Sequence, residues 1–294
     1  MKIAVAGTGY VGLVTGVVLA HIGHNVTCVD IDENKIEIMR KGISPIYEEG
    51  LEELMQKNAQ RLTYTTDYKS AYKNAEVIFV GVGTPEKRDG SANLSYVRSV
   101  CEQIAESVEN DCVVVIKSTV PIGTNDKIEQ MMNKLTDKNI NIDIVSNPEF
   151  LSQGTAVKDT LNASRIVIGT ETERARLVME KVYEKLGQTV VYTNRRSAEM
   201  IKYASNDFLA LKISYVNEIA NLCEIVGADI EDVTKGMGLD ARIGNKFLNS
   251  GRTKCKIGAI ISLLENNFLH WLSYFVSSVL VDAEATSNSV SFLK

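Results

Sequence analysis

Several protein classes are excluded by what this sequence lacks. Its five cysteines, Cys28, Cys101, Cys112, Cys223 and Cys255, are scattered, odd in number and without metal-ligand spacing, so they read as reduced thiols of a cytoplasmic protein. Basic residues are not in excess. The formal net charge is -5, from 32 Lys and Arg against 37 Asp and Glu, which argues against nucleic acid or an anionic membrane as the main partner. No secretory signal is expected: Met1 runs within two residues into an apolar strand, which leaves a targeting segment no room in this reading. There is no internal repeat and no low-complexity tract. What remains, 45% hydrophobic and 23% charged over 294 residues, is the profile of an enzyme with one large domain and part of another.

The most informative stretch is the first thirty residues. Ile3, Val5 and their neighbours form an apolar run of the kind buried in a parallel sheet. It enters Gly7-x-Gly9-x-x-Gly12 and then a helical pattern ending near His21. In that spacing Gly7 permits the tight turn, Gly9 lets backbone approach a pyrophosphate, and Gly12 lets helix and strand pack closely. The diphosphate would sit on the helix N-terminus, where free N–H groups and the dipole favour an anion. A second apolar strand ends in Asp30, the acid expected to bind the adenosine ribose hydroxyls. Ile31, Asp32 and Glu33 supply no arginine for a 2′-phosphate, so NAD is expected over NADP.

Beyond it, strands alternate with helices: strands at 75–81, 111–116, 142–146, 165–169 and 189–192, helices at 94–108, 123–135 and 172–186. The alternation predicts βαβ units and a doubly wound, mostly parallel, Rossmann-like α/β sheet. From residue 198 to 226 there is no proline and no glycine. This reads as one long helix whose apolar residues, among them Met200, Leu211, Val216 and Leu222, wrap much of its circumference, as in a helix buried between domains or subunits. Three strand ends carry polar motifs on the edge where such sheets bind ligands: Val82-Gly-Thr84-Pro85, Lys117-Ser118-Thr119-Val-Pro-Ile-Gly123 and Ser146-Asn-Pro-Glu149-Phe150-Leu151. On the long helix Lys202 and Asn206 are four apart and share a face. A lysine partly desolvated in a pocket is readily tuned for proton or oxyanion handling.

These residues resemble a known family. GTGYVGL, VGTP, KSTVPIGT, NPEFLSQGTAVKD, SRIVIG, EMIKYASNDFLALKISYVNEIA and GLDARIGNKFLN, in this order over about residues 1–250, are similar to the UDP-glucose 6-dehydrogenases among the UDP-sugar dehydrogenases. The resemblance implies two hydride transfers to two NAD, taking UDP-glucose to UDP-glucuronate, in a cytoplasmic homodimer assembled around the long helix. It implies a Rossmann-like NAD-binding domain over 1–197 and an incomplete central dimerisation and substrate domain over 198–250. Carried over by position, Gly7, Gly9, Tyr10, Val11 and Gly12 hold the pyrophosphate, and Asp30 and Lys35 the adenosine end. Val82, Thr84, Pro85, Ser118 and Thr119 match further cofactor contacts, and Thr119 also lies near the catalytic water. Glu149 matches the glutamate that activates water for thioester hydrolysis, Phe150 and Leu151 line the sugar-nucleotide site, and Lys202 and Asn206 match the catalytic lysine and its water-binding partner. Arg242 matches an arginine reaching the substrate site, and Phe247 and Leu248 begin the substrate loop. Gln153 stands where many members carry a glutamate near the nicotinamide. No metal site is implied.

After Asn249 the resemblance stops. Members continue through a glycine-rich loop to Gly-Gly-Ser-Cys-Phe-Pro-Lys-Asp and a third, UDP-binding domain. Here residues 251–294 read Gly-Arg-Thr-Lys-Cys255-Lys onward, a tail without a family counterpart. Lys254 and Lys256 would activate the Cys255 thiol. The apolar stretch 257–281 is long enough to span a bilayer, but Glu265, Asn266, Asn267 and His270 interrupt its middle. The expectation is a frameshifted or truncated gene product of impaired activity; the alternatives are a non-catalytic NAD-binding or dimerising remnant, or a dehydrogenase of another UDP-sugar. A frameshift predicts that one of the other two reading frames past codon 251 encodes Gly-Ser-Cys-Phe-Pro-Lys-Asp. Sequencing the coding DNA checks this, and its absence from both frames rules a simple frameshift out.

Overall fold

The computed structural model describes residues 1–137 and 139–249; the tail, including Cys255 and the apolar stretch 257–281, lies outside the described residues. The chain divides into two units, Met1–Tyr203 and Ala204–Lys294. In the first, β1 (Lys2–Ala6), α1 (Tyr10–His21), β2 (Asn25–Val29), α2 (Glu33–Arg40), α3 (Leu51–Lys57), β3 (Leu62–Thr65), α4 (Tyr68–Lys73) and β4 (Val77–Val80) make the first half. The second half is α5 (Ser95–Ser107), β5 (Cys112–Ile116), α6 (Thr124–Leu135), β6 (Ile142–Ser146), α7 (Ala156–Leu161), β7 (Ile166–Gly169), α8 (Glu173–Tyr183) and β8 (Val190–Thr193). The long helix α9 (Arg195–Val226) begins in the first unit and ends in the second, which continues with α10 (Ile230–Gly238).

The eight strands form one sheet in the order β3-β2-β1-β4-β5-β6-β7-β8. All neighbours are parallel except β6 and β7. A parallel sheet is covered on both faces, which is why its strands are apolar throughout rather than alternating. Val77 and Phe79 of β4 face a core shared with α1, α3 and α8, while Ile78 and Val80 face one shared with α5 and α6. Each such fully buried side chain contributes roughly 1.5–3 kcal/mol from transfer out of water. Strand order reverses between β1 and β4, so the crevice beyond their C-terminal ends is where an open α/β sheet takes its ligand.

The expected elements are all found, with small shifts at their ends. The long helix starts at Arg195 rather than 198, and 172–186 is an α-helix to Tyr183 followed by a 3-10 turn, Glu184–Leu186. The structure adds α2, α3, β3 and α4 between residues 31 and 74, and α7 and α10 further on. On α9, Val216 is buried, whereas Met200, Leu211 and Leu222 are exposed in the single chain. Gly227, with φ +72, then ends the helix.

The β6–β7 junction is thin, a single antiparallel pair of Ser146 with Gly169. The Asn147 side chain takes over where the ladder stops. Its Nδ2 donates to Val167 O at 2.8 Å, and its Oδ1 accepts from Lys117 Nζ at 3.2 Å and from the Tyr183 hydroxyl at 2.5 Å. Asn147 N donates to Ile116 O at 3.0 Å. One buried amide thus joins β5, β6, β7 and α8. Asn147→Ala leaves the three side-chain partners unpaired, each at about 1–3 kcal/mol. The variant should lose at least ~3 kcal/mol of unfolding free energy, read as a lower urea midpoint at unchanged m-value.

Candidate active site

The turn after β1 builds an anion cradle. Gly7 has φ +90, and a Cβ on Gly12 would stand 2.0 Å from Gly7 O, so backbone passes over backbone at a distance only glycine allows. Nothing lies within 4 Å of where a Gly9 Cβ would be, so the space before it is open. The α1 N-terminus has no side-chain cap and no acid in its first turn. At α6 and α7 the corresponding N–H groups are already taken. Glu199 accepts from Gly123 N and Asn125 N, and Glu48 from Gly154 N and Ala156 N. The α1 N–H groups remain for a phosphate. These features fit the dinucleotide expected from the fingerprint.

Asp30, just past β2, is pre-set as an anion. Burial pushes its carboxyl up, but hydrogen bonds from the Thr8 hydroxyl (2.6 Å) and Thr8 N (2.8 Å), and then from Asp32 N, outweigh burial and hold it below its usual range. Lys35 on α2 adds favourable charge. An anion fixed here accepts ribose hydroxyls and repels a 2′-phosphate. The VGTP and KST motifs bind each other: the Ser118 hydroxyl donates to Val82 O at 2.6 Å and the Thr84 hydroxyl to Thr119 O at 2.9 Å. Ser118 is buried with its hydroxyl committed to backbone, so that hydroxyl holds the turn. Pro85 and Gln153 are exposed, Val82 and Thr84 half-buried, and Val11 is half-buried at the start of α1.

Beyond β6, Glu149 meets Lys202. Lys202 Nζ donates to Glu149 Oε1 at 2.7 Å and to Glu149 O at 2.6 Å, and both side chains are largely out of water. The Phe150 ring lies 5.4 Å from the same ammonium and 3.9 Å from the Arg165 guanidinium. Glu149 Oε2 accepts from Leu151 N at 2.6 Å, which turns the segment so that Leu151 packs on the core. Two protons of the Lys202 ammonium are committed to Glu149, leaving a third for a reacting oxygen. The Tyr10 hydroxyl is buried and makes no hydrogen bond; burial, then Glu48, Glu149 and Asp159, push its ionisation up, so it stays a donor.

Asn206, Arg242, Phe247 and Leu248 belong to the second unit. Asn206 is exposed on α9, and Arg242 chelates Asp240 through Nη2 at 2.6 Å. Leu248 is buried, and Phe247 is the one non-glycine described residue with positive φ, +63, a costly conformation for a bulky side chain. Among the described residues no three His, Cys, Asp or Glu side chains are placed to hold a metal, and no helix is long and apolar enough to cross a membrane. The four described cysteines are buried, and burial pushes Cys28, Cys101 and Cys112 up to about 12, so none of these three is a poised thiolate.

Motif reading assigned no role to Glu48, Asn147, Glu199 or Lys117. Lys117 had a visible signal, a cation directly after the apolar run Cys112–Ile116. It is buried with the neutral Asn147 amide as its acceptor. Burial, opposed by Glu149 and assisted by Lys202, pulls its ammonium down to about 8. Between pH 8 and the ordinary lysine value the unfolded chain holds the proton that the folded one has released. Lys117 therefore makes stability rise with pH across that window and exerts its full penalty below it. The difference in unfolding free energy between unmutated chain and Lys117→Met should climb with pH from about 8 to about 10.4; a flat difference plot counts against a buried, titrating Lys117.

Comparison with known proteins agrees with this geometry. Residues 1–187 match the NAD binding domain of the UDP-glucose/GDP-mannose dehydrogenase family, and residues 196–258 its central domain. The chain is 54% identical over 253 residues to the UDP-glucose 6-dehydrogenase YwqF of Bacillus subtilis, covering 85% of this chain and 58% of that protein. It is 49% identical over 259 residues to the UDP-glucose 6-dehydrogenase of Rhizobium meliloti, covering 85% and 59%. Its fold superposes on a UDP-glucose dehydrogenase from Pyrobaculum islandicum with a TM-score of 0.84 at 35% identity, covering 92% of this chain and 64% of that one. A GDP-mannose dehydrogenase from Pseudomonas aeruginosa gives 0.80 at 33%, covering 90% and 64%. The chain thus spans somewhat under two thirds of the length of the relatives it matches. With the glycine cradle, Asp30 and the Lys202–Glu149 pair all on segments covered by these matches, the chain belongs to the UDP-glucose/GDP-mannose dehydrogenase family.

Proposed function

We propose that the chain carries the NAD-binding and proton-handling parts of an NAD-dependent UDP-glucose 6-dehydrogenase. The observation that carries this is the buried Lys202–Glu149 pair beyond β6, on the same sheet edge as the uncapped N-terminus of α1. Oxidising a primary alcohol requires a hydride acceptor and a place for the hydroxyl proton. NAD supplies the acceptor when bound. The α1 N–H groups and the open space before Gly9 take its pyrophosphate, and Asp30 its adenosine ribose. Lys202 Nζ, with a proton free of Glu149, binds the substrate oxygen and stabilises negative charge developing there. Glu149 is the adjacent proton acceptor, available once Lys202 turns to substrate. Asn206, Arg242, Phe247 and Leu248 are assigned to the sugar-nucleotide side by resemblance to the same family.

A homodimer is part of the proposal. Phe208, Leu211, Tyr215 and Leu222 of α9 are exposed apolar residues at helical spacing, the kind of stripe a second copy covers.

Titration with NAD and NADP, each alone, is the direct test. The chain should bind NAD more tightly, and Asp30→Ala should weaken NAD and narrow the gap; equal affinity of the unmutated chain for both overturns the cofactor assignment. With UDP-glucose and NAD, any NADH formed should fall roughly 10²–10⁴-fold in Lys202→Met. Turnover that survives this substitution rules Lys202 out of proton handling.

A further inference from the structure

Glu199 lies one helical turn before Lys202 on α9 and is 3% exposed. A carboxylate this buried needs partners, and it has three on another element. Its Oε2 accepts from Gly123 N at 2.5 Å; its Oε1 accepts from Asn125 N at 2.9 Å and Asn125 Nδ2 at 2.5 Å. These groups open α6, whose own N-cap, Gly123, has no side chain to offer. Glu199 therefore caps α6 from 74 to 76 residues away and sets a negative charge on the positive end of its dipole.

The loop held this way is the one that carries Ser118 and Thr119. At its start the Ser118 hydroxyl is tied to Val82 O and Thr119 O to the Thr84 hydroxyl. In its middle, Thr124 N and Oγ1 both donate to Pro121 O. At its end stands Glu199. The same turn of α9 then delivers Lys202 to Glu149. Cofactor-side loop and proton-handling pair are thus referred to one stretch of helix, residues 199–202.

We propose that Glu199 is a positioning residue: by capping α6 it fixes the Ser118–Thr119 loop in register with the Lys202–Glu149 pair, so that cofactor and substrate are held in one frame. This rests on the NAD-binding reading given above, extended to the cofactor contacts that the family resemblance assigns to Ser118 and Thr119. Arg195 and Arg196 also join α9 to α6, Arg195 to Asp126 and Glu129 and Arg196 to Asp126. Asp126 lies in the first turn of α6, but neither arginine is hydrogen-bonded to residues 118–125, which makes the largely exposed Arg196 the control for a tie between α9 and α6 that bypasses the loop.

The test uses the whole 294-residue chain with Glu199→Ala, Glu199→Gln and Arg196→Ala. NAD dissociation constants are measured well below the melting temperature, and amide exchange is followed across residues 118–125. Gln keeps an acceptor for two of the three donors at best, so a positioning role predicts a graded series. NAD affinity should fall roughly tenfold in Glu199→Ala and less in Glu199→Gln, with exchange at 118–125 faster in the same order and strand β4 still protected. Arg196→Ala should leave both unchanged. Faster exchange with unaltered NAD affinity reduces Glu199 to a structural cap and overturns the proposal, as does an equal effect from Arg196→Ala. If Glu199→Ala does not fold, Glu199→Gln decides on the same two readouts. Should the unmutated chain bind no NAD, the cofactor reading fails by itself. Exchange at Ser118 and Thr119 then judges the loop-holding role, and unchanged exchange in Glu199→Gln and Glu199→Ala rejects it.

Discussion

A carboxylate taken out of water must be paired or hydrogen-bonded, and the C-terminal edge of this sheet meets that demand three times over. Glu48 is held by Gly154 N and Ala156 N, Glu199 by Gly123 N, Asn125 N and the Asn125 amide, and Glu149 by Lys202. Two of the three thereby fill helix N-termini, and the third neutralises a buried ammonium. The electrostatics of the whole edge follow. Positive ends that would attract an anion at α6 and α7 are occupied from within, and α1 keeps its own free. A fold with several helix N-termini on one edge can thus close some of them to a diphosphate from within.

The same requirement explains why strand-end loops without regular structure can be positioned closely. Loops normally run over the surface because their backbone groups need water. Here the loops after β4, β5 and β6 bond one another: Ser118 to Val82, Thr84 to Thr119, Lys117 to Asn147. The Asn147 amide takes over where β6 and β7 share a single residue pair. Breaking one buried partner at this edge leaves others unsatisfied. Its substitutions should accordingly behave as a coupled group rather than additively.

Much of the fold was legible in the sequence because its signals are local. The apolar run into Gly7-x-Gly9-x-x-Gly12 and the strands at 142–146 and 165–169 are contiguous patterns, and the structure has β1, α1, β6 and β7 there. Residues 31–74 were harder. Their helices α2, α3 and α4 are six to eight residues long, and β3 is the polar-alternating Leu-Thr-Tyr-Thr of a sheet edge. Such segments are helical or extended because of what they pack on, and short windows do not reveal it. The site divides in the same way. Glycines, Asp30 and Lys202 sit in motifs, whereas Glu48 and Glu199 act on backbone 74 to 108 residues away. No spacing rule in a single sequence announces a carboxylate that caps another element's helix.

Lys117 and Lys202 show why burial alone does not assign a role. Both are buried, at 9% and 6% exposure, and the charge of Lys202 helps pull the Lys117 ammonium down. Lys202 has a carboxylate within 2.7 Å, so its charge is matched by a group that can itself accept a proton. Lys117 has the neutral Asn147 amide, which accepts its proton's hydrogen bond but cannot take the proton. The charge on Lys117 is therefore a standing cost, relieved only as pH rises toward 8 and above. Lys117 is close enough to Glu149 and Lys202 for their charges to act on it, so when protonated it adds positive potential beside that pair. The acceptor that each lysine meets thus separates the two: the ion-paired one faces a group that can take a proton, and the amide-bound one faces a group that cannot.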